Sequence, residues 1–98
     1  MLLTVDTLAF AVVKTSLEDL MRFLMLDICD FEQGRGFNKN YRSSKYLGGI
    51  RIGYDNITTR FSCYVYMSGQ GCRTYESYQK NKYGSFDWFS FIKRLNAM

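Results

Sequence analysis

From residue 60 to residue 67 the chain alternates. Phe61, Cys63, Val65 and Met67 are apolar, and Arg60, Ser62, Tyr64 and Tyr66 fill the places between them. A period of two is the mark of a strand with one side on a core and the other side open. The first set is expected to face the core. The second would present two tyrosines and an arginine to solvent or to a partner. Ile50, Ile52 and Tyr54 alternate in the same way with Arg51 and Gly53. A chain with such strands must cover one sheet face with another layer and leave the second face partly open.

The covering layer is legible as helices. Ser16 is a good N-cap, with Asp19 three residues on. Leu17, Leu20, Met21, Leu24 and Ile28 then recur at helical spacing, so a helix is expected from Ser16 to about residues 28–30. A short helix carrying Cys72, Tyr75 and Tyr78 is expected up to about residue 79. A last one spans residues 86–97, with Trp88, Phe91, Ile92 and Leu95 on one face. The remaining strands are read at residues 3–13 and 41–54, with a bulge or bend at Gly48 and Gly49. Asp55-Asn56 signals a turn into a return strand over residues 57–67. Residues 31–40 hold Gly34, Gly36, Asn38 and Asn40 and are expected to form a loop, pinned to the body by Phe31 and Phe37. The expected fold is α+β in one domain over residues 1–98. A small three-stranded, mainly antiparallel sheet carries helices on one face, in the order β-α-β-β-α-α.

Composition narrows the chemistry. The 98 residues contain no His, which removes the commonest general base and the commonest metal ligand. Three cysteines cannot form a closed disulfide set, and the N-terminus lacks the pattern of a secretory signal, so a cytoplasmic setting is expected. No apolar run reaches membrane-spanning length. Cys29, Cys63 and Cys72 include no Cys-x-x-Cys pair and read as buried free thiols. A structural zinc site would require all three to converge, and no spacing argues for that. Asp6 reads as a solvent-facing or capping acid rather than a metal ligand. No cofactor and no catalytic residue are expected.

Charge is unevenly placed. Residues 1–34 carry a net of −4. Residues 35–60 carry Arg35, Lys39, Arg42, Lys45, Arg51 and Arg60 against Asp55 alone. This basic band also holds Gly, Asn, Ser and Tyr, a mixture suited to contacting phosphates and stacking bases. The plainer alternative is a solvated hairpin whose charges keep it soluble. Tyr41, Tyr46, Tyr64 and Tyr66 are balanced between partner surface and ordinary strand positions. The Ser-Gly-Gln-Gly-Cys run at 68–72, followed by Arg73, would suit an anion at a helix N-terminus. A tight strand-to-helix turn needing glycine is the better reading.

Four blocks in order carry a resemblance: TVDTLAF at 4–10, YLGGIRIGYD at 46–55, MSGQGCRTYE at 67–76 and DWFSFIKRL at 87–95. Together they resemble the N-terminal region of rolling-circle replication initiators of plasmids and phages, in the same broad family as conjugative relaxases. In full-length members a tyrosine attacks a DNA phosphate and carboxylates hold a divalent metal. The resemblance implies that those residues lie downstream of the region matched here. Two functions follow as expectations. One is a non-catalytic binding protein of a phage or mobile element, most concretely an inhibitor of a host DNA-targeting nuclease, of the anti-CRISPR kind. The alternative is the DNA-binding N-terminal module of an initiator. In that case the six basic residues above would track phosphates, Tyr64 and Tyr66 would stack on exposed bases, and Arg73 would add a charge. The partner is then a host nuclease or nucleoprotein complex, or single-stranded or hairpin DNA. Monomer and homodimer are both compatible with the sequence.

Overall fold

A computed structural model describes residues 5–58 and 61–97. The chain runs β1 (Leu8–Val13), α1 (Leu17–Leu24), a 3₁₀ turn (Ile28–Asp30), β2 (Glu32–Gly34), β3 (Tyr41–Leu47), β4 (Ile50–Asn56), β5 (Ser62–Met67), α2 (Gly69–Tyr83) and α3 (Trp88–Asn96). The α+β class and the three helices stand. The sheet, however, has five strands rather than three, in the spatial order β1-β5-β4-β3-β2, with every neighbouring pair antiparallel.

Two readings of local sequence account for the difference. The stretch expected as one strand over 41–54 is a hairpin. Leu47 pairs with Ile50 across Gly48-Gly49, and Gly48 takes a φ of 57°. Two glycines between apolar runs are a hairpin signal, and the first central position is where a positive φ is required. Glu32–Gly34 falls in the expected loop, where glycines disfavour a strand. It pairs with β3 because long-range bonds hold it there. Tyr54 Oη donates to Gln33 Oε1 at 3.0 Å, and Ser44 Oγ donates to the Arg35 carbonyl at 2.7 Å. The expected Asp55-Asn56 turn lies inside the end of β4. Asn56 Oδ1 accepts from the Thr58 amide at 2.8 Å and starts the turn one step later.

Helix α1 begins where expected, with Ser16 Oγ accepting from the Asp19 amide at 3.1 Å. It stops at Leu24, well short of residues 28–30. Met25 adopts a left-handed φ of 58°, its amide bonds the Arg22 carbonyl, and the Leu26 amide bonds the Met21 carbonyl. That pair of bonds is a Schellman ending. Tertiary donors complete it. Tyr75 Oη donates to the Leu24 carbonyl at 2.6 Å, and the buried Gln79 amide donates to the Met25 carbonyl at 3.0 Å. Gly84 ends α2 in a left-handed conformation at φ 88°.

The core lies between the sheet and the helices. Ile50, Ile52, Cys63, Val65 and Met67 supply its sheet side, and Leu20, Met21, Leu24, Cys72, Tyr75, Trp88 and Phe91 its helix side. Phe61 is not among them. It sits before β5 at a φ of 58° and is 61% exposed, while Ser62 is buried instead. The aromatic rings of Tyr75, Phe86, Trp88 and Phe91 pack mostly edge to face, with centroids 4.9–6.1 Å apart. Trp88 Nε1 is satisfied by the Glu76 carboxylate. Among the described residues no helix is long and apolar enough to cross a membrane.

The β3–β4 turn meets the start of α2 at a glycine-to-glycine contact. A Cβ at Gly71 would overlap the Gly49 carbonyl, and one at Gly49 would overlap the Gly71 backbone. The Ser68 amide bonds the Gly49 carbonyl at 3.3 Å, and Ser68 Oγ caps the Gly71 amide at 3.2 Å. Helix propensity alone would score Gly71→Ala as stabilising by about 1 kcal/mol. Here it is expected to destabilise by about 1–3 kcal/mol, the range for overpacking, as read from urea denaturation.

Candidate nucleic-acid interface

Strand parity divides the sheet. Ile50 and Ile52 pair with Met67 and Val65 on the helix side. Arg51 pairs with Tyr66, and Gly53 with Tyr64, so these four belong to the opposite face. Tyr46 pairs with Arg51 and joins them there. The alternation that buries the core thereby brings an arginine and three tyrosines together on the uncovered side.

The face is organised around Gly53. A Cβ there would press on Phe37 Cβ at 3.0 Å and Tyr41 Cγ at 3.1 Å, so the missing side chain makes the niche in which both rings lie. Phe37 stands 5.4 Å from the Tyr64 ring, and Tyr41 stands 6.2 Å from it. The Arg51 guanidinium lies 5.6 Å from the Phe37 centroid and 5.8 Å from that of Tyr46. Such contacts hold a guanidinium in place without neutralising it. Glu32, paired opposite Tyr46 across the β2–β3 ladder, raises the pKa of the Tyr46 phenol through a side-chain hydrogen bond and its charge. An open cleft of about 490 Å³ follows, lined by Phe37, Asn38, Tyr46, Arg51, Tyr64 and Tyr66 together with backbone at residues 48–50 and Ser68. Aromatic faces around a fixed cation are the means by which proteins stack and pair with unpaired nucleotides.

The residues singled out from sequence do not all arrive here. Arg51, Tyr64 and Tyr66 line the cleft. Arg42 is exposed and stands 3.9 Å from Asp55. Lys39 is exposed next to Asn38, in the segment that carries Phe37, and Arg35 is exposed just after β2. Lys45 lies apart from the cleft. It pairs with Ile52, and the period of two puts it on the helix side, away from Arg51. Arg73 lies apart from it too. It lies on α2, bound to Glu76 Oε2 at 3.1 Å and to the Val5 carbonyl, and so ties the helix to the N-terminal segment. Arg60 lies outside the described residues. The anion reading of residues 68–72 gives way to the glycine contact described above. Phe37 is the contributor that composition did not single out. Its only signal was an isolated aromatic within a Gly- and Asn-rich segment.

The model of the rolling circle replication initiation protein N-terminal domain matches residues 3–94, nearly the whole chain. The chain belongs to this family. No match is found among curated proteins or among solved structures. Within this initiator domain, two of the blocks that carried the resemblance meet in space. YLGGIRIGYD supplies Gly49 and the cleft residues Tyr46 and Arg51, and MSGQGCRTYE supplies Gly71.

The initiator domain does not gather its cysteines. Cys63 and Cys72 are buried and Cys29 is exposed. Among the described residues no three His, Cys, Asp or Glu side chains are placed to hold a metal ion. Burial lifts the Cys63 thiol from its ordinary 9.0 up to about 11 and raises Cys72 as well. Near pH ~8, Cys29 is expected to react with an aromatic disulfide reagent roughly a hundredfold faster than either buried thiol. Folding stability is expected to fall as pH rises from 9.0 to about 11, because the unfolded chain gives up the Cys63 proton first. Thiol titration and pH-dependent urea melts check the two statements.

Proposed function

We propose that this initiator domain recognises unpaired DNA, as a single strand or in the loop of a hairpin, through the open face of its sheet. The observation that carries the reading is the Arg51 guanidinium held over the rings of Phe37 and Tyr46 at the edge of the Tyr64–Tyr66 cleft. In this reading the guanidinium takes a phosphate, and the exposed ring faces take bases. Arg42 and Lys39 extend the track along the backbone. Family membership supports it, since a replication initiator acts on DNA. The domain contributes recognition and not strand cleavage, and its natural context is the replication of a mobile element. The nuclease-inhibitor expectation draws on no residue of this face that DNA binding leaves unused.

The reading makes a quantitative demand. With Arg51, Arg42 and Lys39 as the phosphate contacts, log affinity should fall against log salt with a slope of roughly −2, from about −0.7 per contact on single strands. That is shallower than all six basic residues of the band would give. Fluorescence anisotropy on labelled single-stranded and hairpin DNA, at about 50 and 200 mM salt, measures it. Tyr64→Ala is expected to weaken binding by about 5- to 150-fold, the worth of one stacked base. Arg51→Ala should weaken binding and also flatten the salt slope, whereas Lys45→Ala should change neither. Absence of binding at the lower salt, or indifference to Arg51→Ala and Tyr64→Ala together, would defeat the reading.

A further inference from the structure

The side chains around the Arg51 cleft present hydrogen-bond donors in fixed places and no fixed acceptor. Arg51 is exposed and takes part in no ion pair among the described residues. Its guanidinium can only donate, through a rigid fork of N–H groups. The rings of Phe37 and Tyr46 hold that fork without spending its hydrogens.

Asn38 supplies the second donor. It lines the same cleft, directly after Phe37 in the chain. Its backbone is left-handed, at a φ of 47°, and its Oδ1 accepts the Asn40 amide at 2.7 Å. Only the oxygen of a side-chain amide can meet a backbone N–H, so the orientation of this amide is settled. Nδ2 is its free end, and Nδ2 only donates. The turn that carries it is tied down on both sides. The Phe37 amide bonds the Tyr41 carbonyl at 3.0 Å, and the Ile57 amide bonds the Asn40 carbonyl at 2.9 Å. No carboxylate is among the residues that line the cleft, and the hydroxyls of Tyr46, Tyr64, Tyr66 and Ser68 can serve as donor or acceptor.

Bases differ in what they show to such a wall. Guanine carries two adjacent acceptors, N7 and O6, on one edge with no donor beside them. Adenine sets an amino donor next to N7, cytosine shows an amino donor, and thymine shows one acceptor beside a methyl group. An amino group turned toward Arg51 or Asn38 sets donor against donor, which counts against adenine and cytosine. We infer that the cleft is selective for guanine among unpaired bases. The Arg51 fork takes N7 and O6, Asn38 Nδ2 adds a second donor to O6, and the purine stacks on the exposed tyrosine faces. The N–H groups of Arg51 outside the fork remain for a phosphate. This selectivity rests on the reading of the face as a site for unpaired DNA and names the base it takes.

Fluorescence anisotropy tests it on labelled oligo-dT strands that carry one central dG, dA or dC. The dG strand is expected to bind about 5- to 150-fold tighter than the dA strand, the worth of one bidentate base contact. Inosine keeps N7 and O6 and is expected to bind as dG does. 7-Deazaguanine loses the N7 acceptor but keeps the stacking face, and is expected to fall toward dA. Arg51→Lys keeps the charge and loses the fork, so the preference should vanish while the salt slope stays. Asn38→Asp keeps the Oδ1 bond to the Asn40 amide and replaces the donor by an acceptor. Its ratio of dG to dC affinity is expected to drop, whatever the added charge does to all strands alike. Equal affinity for dG and dA, or indifference to the loss of N7, overturns the selectivity. If Arg51→Ala and Tyr64→Ala still weaken binding in that case, recognition of unpaired DNA stands without it. Absence of binding to every strand overturns both.

Discussion

The backbone contact between Gly49 and Gly71 fixes where the helices sit. It joins the tip of the β3–β4 hairpin to the first turn of α2, and neither residue can carry a side chain there. With α2 seated, Cys72 and Tyr75 are delivered to the core, and Tyr75 and Gln79 reach the end of α1. α1 ends where those donors take its last carbonyls. The aromatic cluster of α3 then closes against Tyr75. One close approach thus leads, through side chains one turn apart on α2, to a helical layer confined to a single face.

What that layer leaves uncovered is as ordered as what it buries. Gly53 is buried without being apolar core. It makes room for Phe37 and Tyr41, which lie against Tyr64 and set the height of the surface beneath Arg51. The guanidinium is exposed yet constrained by two rings. Holding a long cationic side chain in one place before a ligand arrives reduces the ordering cost of binding. The charges of the face are mixed, since Glu32 and Asp55 stand among the arginines. Recognition here would lean on stacking and position more than on bulk charge.

Much of the fold was legible at the level of single elements. Ser16 announced the start of α1, the alternation of Ile50, Ile52, Val65 and Met67 announced the core face, and Tyr64 and Tyr66 were correctly set on the opposite one. Elements held by distant partners were hidden. β2 has the composition of a loop and becomes a strand through Ser44, Tyr54 and the β3 ladder. Phe61 continued the apolar alternation by sequence, but a left-handed backbone before β5 turns it outward. Lys45 and Arg51 looked equivalent in a basic band, and a single step of strand register separates them by the thickness of the sheet.

Period and chemistry were therefore determined by the sequence by itself. Apolar residues at every second place make one-sided strands, apolar residues at helical spacing make one-sided helices, and a chain without histidine lacks the commonest general base. These are short-range properties, set by backbone geometry and by the side chains of a few neighbours. The tertiary structure decided which face met the helices, how many strands joined the sheet, and which cations share a surface with which rings. Those outcomes depend on contacts between residues far apart in the chain, Gly49 with Gly71 and Gly53 with Phe37. No local pattern encodes such pairings, because their free energy exists only once both partners are in place.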